Sequence, residues 1–165
     1  MDAESERKEK RQGEDDDMKM TIEGVNLPVR KTDGACGYDI YAPCDMEIGL
    51  IPKKYDLGIL MEPGDIPEGH YALILPRSST GDKGLNLANT SGVIDSDYTM
   101  DTIKATLYMC INNAIKDDGT IDMDASISFQ KNDRILQMMI VPFATIPTEI
   151  APREKRKGGY GSTGA

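Results

Sequence analysis

The chain has 165 residues and a formal net charge of −9, with 39% hydrophobic and 28% charged residues. That length and balance fit one globular domain, and the negative charge argues against stable nucleic-acid binding, which needs a basic surface. No apolar run reaches the ~18–20 residues of a membrane helix, so no membrane partner is expected, and no apolar stretch near the start marks a secretory signal.

Residues 1–17 carry eight acids and four bases without apolar periodicity, so a disordered acidic tail is expected there. A β domain is expected over 18–150, followed by a mobile arm over 151–165. Residues 18–25 alternate weakly and read as a first strand before Pro28 breaks the run. Residues 45–51 and 70–75 read as further strands, with one short helix after Pro76, Arg77, Ser78 and Ser79. Ile103, Ala105, Leu107, Met109 and Ile111 alternate with a period of two, and Ile121, Met123, Ala125, Ile127 and Phe129 repeat the pattern. The turn signal Lys116, Asp117, Asp118, Gly119 between them predicts a β-hairpin. Residues 135–143 form a continuous apolar run, as in a strand buried on both faces. Many short strands separated by Gly and Pro predict an all-β sandwich or barrel.

Cys36, Cys44 and Cys110 have no metal-type spacing, and His70 is the only histidine. They read as reduced thiols of a cytosolic or nuclear protein, and a single histidine before an apolar strand reads as structural. Four internal segments carry chemistry. Gly92, Val93, Ile94, Asp95, Ser96, Asp97 and Tyr98 set a carboxylate and an aromatic ring at the mouth of a hairpin, an arrangement that can orient a water beside a ring-bearing substrate. Asp39, among small residues, reads by itself as a turn cap or as an acid facing a metal-bound water. Arg77, Ser78, Ser79 and Thr80 at a strand end combine a guanidinium fork with short donors, which suits phosphate and equally suits a capped helix. Arg134 and Gln137 open the buried run, where Gln137 needs a partner, either a backbone group or a ligand phosphate. The last eight residues, with Tyr160, Ser162 and Thr163 among four glycines and an alanine, suit a segment that orders over a phosphate-bearing ligand.

Taken in order, these five segments resemble the five motifs of the trimeric deoxyuridine triphosphatases (dUTPases), from about Leu27 to Ala165. The resemblance implies a jelly-roll β-sandwich with one short helix, a homotrimer with active sites between subunits, and Mg²⁺-dependent hydrolysis of dUTP to dUMP and pyrophosphate. That activity limits uracil in DNA and supplies dUMP for dTMP synthesis. It further implies that Asp95 orients the attacking water, that Gly92, Val93 and Ile94 read the uracil, and that Asn89 stands at the base of that hairpin. Tyr98 stacks on the deoxyribose, and Arg77, Ser78, Ser79 and Gln137 hold phosphates. Asp39 meets Mg²⁺ through water, and Lys104 joins the substrate-binding set. Tyr160 covers the uracil, with Ser162 and Thr163 on the γ-phosphate. Three departures stand out. Lys155 followed by Arg156 replaces the usual arginine and glycine, either residue serving the γ-phosphate, and Tyr160 replaces a phenylalanine. Thr99, Met100 and Asp101 replace a basic residue and glycine, and a β-bulge is expected there, ahead of Lys104. A dCTP deaminase relative and a catalytically inactive nucleotide-binding protein of the same fold are the alternatives. Cellular and viral origins both fit.

Overall fold

The computed structural model describes residues 17–148. The acidic tail up to residue 16 and the arm over 151–165 lie outside the described residues.

Ten strands and two short helical turns follow in order: β1 (Lys19–Met20), β2 (Gly37–Tyr41), β3 (Met46–Gly49), β4 (Lys53–Leu60), β5 (His70–Pro76), α1 (Ser78–Gly81), β6 (Leu85–Leu87), β7 (Gly92–Asp95), β8 (Thr102–Met109), a 3₁₀ turn (Ile111–Ala114), β9 (Ser126–Phe129) and β10 (Arg134–Pro142). They form a jelly-roll-like sandwich of two four-stranded antiparallel sheets, β1-β4-β8-β6 and β2-β10-β5-β7, with β3-β9 as a separate pair. No helix among the described residues is long and apolar enough to cross a membrane.

Alternation builds the core. On β8, Ile103, Ala105, Leu107 and Met109 are buried while the residues between them are half-exposed. Ile103, Ala105 and Leu107 share one core with Leu57 and Ile59 of β4, Ile40 of β2, Ala72 and Ile74 of β5, Ile94 of β7, and Leu136 and Met138 of β10. Each fully buried aliphatic side chain contributes roughly 1.5–3 kcal/mol, which is what holds the two sheets face to face.

Several expectations are corrected. The first strand is two residues long and not the whole of 18–25. β8 and the segment at 121–129 do not form a hairpin. β8 pairs with β4 and β6, and β9 pairs with β3. Only a local bridge between Ile115 and Ile121 closes around the Lys116–Gly119 turn. Alternation fixes the face that a strand buries but not its partner. Ile111 leaves the buried stripe for the 3₁₀ turn and is half-exposed. β7 is likewise no half of a local hairpin: its neighbour is β5, because β6 and β8 on either side of it belong to the opposite sheet.

The expected bulge lies elsewhere. Residues 99–101 are loop, and the extra residues sit on β4, where Asp56 opposes Lys104 and Leu60 opposes Thr102. Gly58 makes this bulge with φ +70°, and a Cβ there would stand 2.6 Å from Ile22. A second bulge on β10, between Arg134 and Leu136, buries Ile135 and Leu136 in succession. One inserted residue inverts the parity of a strand. Arg134 therefore lands on the outward face with Gln137 instead of in the core.

Candidate active site

The outward face of the sheet β2-β10-β5-β7 carries the chemistry. Register places Asp39 beside Gln137, and Gln137 beside Leu75, in one row across β2, β10 and β5. Asp39 is thus a strand residue and not a turn cap. Its peptide N–H donates to the Val29 carbonyl, and its side chain is 12% exposed. Oδ1 lies 2.8 Å from Arg77 Nε, and Oδ2 accepts from Arg134 Nη1 at 3.1 Å. One carboxylate therefore holds two guanidinium groups, Arg77 through an ion pair and Arg134 through a charge-assisted hydrogen bond. Arg134 was legible as a polar residue opening β10. Its place in this cluster came from the bulge, which the sequence does not signal.

Arg77 precedes α1 in extended conformation, with φ −73° and ψ 152°. Its Nη1 also reaches the Arg134 carbonyl at 3.3 Å and Ser79 Oγ at 3.5 Å. Ser78 and Ser79 are exposed on the first turn of α1. Thr80, read from the sequence with Ser78 and Ser79 as a short donor that suits phosphate, is instead buried, with its hydroxyl within reach of the Arg77 carbonyl at 2.9 Å and the Ile135 carbonyl at 2.8 Å. It anchors the turn to β10. Gln137 Nε2 donates to the Pro76 carbonyl at 3.3 Å, so the partner that it needed is a backbone group. Its side chain lies over Gly37, where a Cβ would stand 3.1 Å from Gln137 Oε1.

Asp95 and Tyr98 stand at another corner of the same chain. Asp95 ends β7, exposed, opposite Tyr71 of β5, while Gln137 lies opposite Leu75. Four residues along β5 and two strand spacings across it separate the Cα positions of Asp95 and Gln137 by about 17 Å. Gly92 packs against Ile74, Val93 is 57% exposed, and Ile94 is buried. Asn89 is exposed on the turn before β7, where Thr90 holds φ 67°, a left-handed conformation that β-branched residues avoid. Tyr98 is 5% exposed, and its hydroxyl donates to the Thr102 carbonyl at 3.0 Å. Lys104 points its ammonium at Asp101 and at the Thr102 carbonyl. That hydrogen bond is the main cause holding the Asp101 carboxyl below its usual value and the Lys104 ammonium above its own. Lys155, Arg156, Tyr160, Ser162 and Thr163 lie outside the described residues.

A dUTPase family model matches residues 23–164. A deoxyuridine 5'-triphosphate nucleotidohydrolase of Lactococcus lactis is 33% identical, over 86% of this chain and 90% of its own length. That of Escherichia phage T5 is 36% identical, over 84% and 92%. The structure of the Staphylococcus bacteriophage 80alpha dUTPase with dUpNHpp matches with a TM-score of 0.59 and 22% identity, covering 90% of this chain and 97% of that one. The ordered segments, the sandwich and these matches together make the conclusion plain: the chain belongs to the dUTPase family.

Proposed function

We propose that the protein hydrolyses dUTP to dUMP and pyrophosphate, with Asp95 orienting the water that attacks the α-phosphate. The division of the site carries this reading. Arg77, Ser78, Ser79 and Gln137 gather around Asp39 at one corner, and Asp95 with Tyr98 stands about 17 Å away. No α-phosphate reaches both within one chain. The complete site therefore forms between chains, and the protein works as a homotrimer. The outward face between the corners supports this: Leu73, Leu75, Met139 and Val141 are only half-buried, and Val93 is exposed. An apolar face of this kind is what a second copy covers.

Asp95 accepts a proton from the water and aims its lone pair in line with the scissile bond. Arg77, held in place by Asp39, and the hydroxyls of Ser78 and Ser79 stabilise charge on the phosphoryl oxygens, with Ser78 on the α,β bridge and Gln137 donating beside them. β7 is the edge strand of its sheet, so the outer backbone groups of Gly92, Val93 and Ile94 suit a pyrimidine edge. Asn89 holds the base of that strand, and Tyr98 underlies the deoxyribose. The arm carries Lys155 or Arg156, Ser162 and Thr163 to the γ-phosphate and Tyr160 to the uracil, and its closure excludes water.

The residues fit Mg²⁺ only as an ion carried by the substrate. Among the described residues no cluster of three His, Cys, Asp or Glu could hold a metal, and each Asp39 oxygen already pairs with a guanidinium, with lone pairs left for a metal-bound water. When bound, Mg²⁺ neutralises triphosphate charge. Cys36, Cys44 and Cys110 are free, which suits a reducing compartment, cytoplasmic or nuclear.

Pyrophosphate release from dUTP, UTP, dTTP and dCTP tests the reading. Release from dUTP far above the others is expected. Deamination of dCTP without pyrophosphate, or dUTP binding without turnover, would overturn it.

A further inference from the structure

We infer that Asp56 is a positioning residue for Tyr98, acting through Thr102, and so helps the site reject a ribose; the inference rests on reading Tyr98 as the surface beneath the sugar.

Asp56 lies on β4, in the sheet opposite to that of β7. Its carboxylate has two duties. Oδ1 accepts the Gly58 N–H at 2.8 Å and closes the bulge, and Oδ2 accepts the Thr102 hydroxyl at 2.7 Å. The bulge is what turns the carboxylate toward the first residue of β8. Thr102 is then held at every polar atom. Its N–H donates to Asp101 Oδ1 at 2.8 Å, its hydroxyl donates to Asp56, and its carbonyl accepts from Tyr98 Oη at 3.0 Å and from Lys104 Nζ at 3.4 Å. Lys104 also grips Asp101. Asp56, Asp101 and Lys104 therefore converge on one residue, Thr102, and its carbonyl is the acceptor for the Tyr98 hydroxyl.

The ring itself follows a loop. Residues 96–101 belong to no strand, so between Asp95 and Thr102 the sheets do not hold the chain. The Tyr98 N–H is tied back to the Asp95 carbonyl at 3.0 Å, and the hydroxyl end is tied forward to Thr102. Excluding a single 2′-oxygen needs a ring held to within a fraction of an ångström, and a displacement of about 1 Å can cost up to ~10²-fold in such a site. Loosening Thr102 lets the ring tilt and admits the extra oxygen. It leaves Asp95, on β7, where it was.

The experiment compares kcat/KM for dUTP and UTP in wild type, Asp56→Asn, Thr102→Val and Tyr98→Phe, and in the two double variants that carry Tyr98→Phe. Asp56→Asn and Thr102→Val should each raise UTP relative to dUTP by about fivefold, the factor of one ordinary hydrogen bond, with kcat for dUTP nearly unchanged, and Tyr98→Phe should raise the same ratio. Asp56→Asn or Thr102→Val added to Tyr98→Phe should give no further rise, because the link is already cut. A plain loss of stability lowers both substrates together and leaves their ratio alone. A wild-type ratio in both Asp56→Asn and Thr102→Val, with a raised ratio in Tyr98→Phe, would overturn the inference while sparing the role of Tyr98. A wild-type ratio in Tyr98→Leu, folded by its melting curve, would remove the sugar role of Tyr98 and the inference with it. If Tyr98→Leu does not fold, the first two variants still decide.

Discussion

Mixing two inactive chains turns the 17 Å separation into a number. Asp95→Asn removes the group that orients the water and should lower turnover by ~10²–10⁴-fold. Arg77→Ala removes a charge-assisted phosphate contact and should lower kcat/KM by about 10–100-fold. Neither preparation alone should exceed about a tenth of wild type at limiting dUTP. If each site takes Asp95 from one chain and Arg77 from another, a randomly assembled trimer made from equal amounts of both has about one intact site in four. If a site takes both from one chain, none is intact. The expected recovery is therefore about a quarter of wild-type kcat/KM, read as pyrophosphate release after the chains are unfolded and refolded together. Light scattering at about three times the 18.1 kDa chain mass and differential tags confirm mixed trimers. Arg77→Ala also strips Asp39 of one partner, so Gln137→Ala serves as a second donor that leaves the Asp39–Arg77 pair in place. Activity no higher than the mean of the two parents, with mixed trimers confirmed, would refute the shared site.

Asp95→Asn should keep the wild-type melting temperature and still bind dUTP by calorimetry, because Asp95 is exposed at a strand end; loss of binding would make it a substrate ligand and not a base. Asp39→Asn should cost about 1–3 kcal/mol, discounted because Arg77 and Arg134 are partly exposed, or a few degrees by thermal melting, and should raise KM for dUTP more than it lowers kcat. A change in kcat alone would contradict Asp39 as the holder of the arginines. For the Asp101–Lys104 pair, the carboxyl is depressed below 3.8 and the ammonium raised above 10.5, chiefly by their shared hydrogen bond. Its stabilisation is complete above 3.8 and lost as pH falls through the depressed value, and complete below 10.5 and lost as pH rises through the raised one. The melting difference between wild type and Asp101→Asn should be flat over about pH 5–9 and shrink in stronger acid. A difference that grows in acid would reverse the sign.

The sequence revealed β8 well, since alternation from Ile103 to Met109 survives as burial. It concealed β4, because Lys53, Lys54 and Asp56 are exposed and the Gly58 bulge breaks the period. It concealed β2 because Gly37, Tyr38 and Asp39 read as turn chemistry, whereas the strand is decided by pairing with β10 nearly a hundred residues away. The hairpin at 103–129 failed for a related reason: both segments show the right face, and the partner of each is set by tertiary packing. In the site, motif order located Asp39, Arg77, Ser78, Ser79 and Gln137, which do converge. Arg134 and Thr80 were noted as polar residues, but what each holds in the folded chain was not foreseen. The first depends on a parity change and the second on hydroxyl bonds to two carbonyls, and neither leaves a local pattern. Lys104 was legible as a cation, but Asp101, three residues earlier, takes its charge.

The most direct measurement follows oxygen during dUTP hydrolysis in ¹⁸O-labelled water. Attack at the α-phosphate by a water aimed from Asp95 places the label in dUMP, and mass spectrometry should find it there with pyrophosphate unlabelled. Label in the pyrophosphate, with dUMP unlabelled, would mean attack at the β-phosphate and would contradict the role assigned to Asp95.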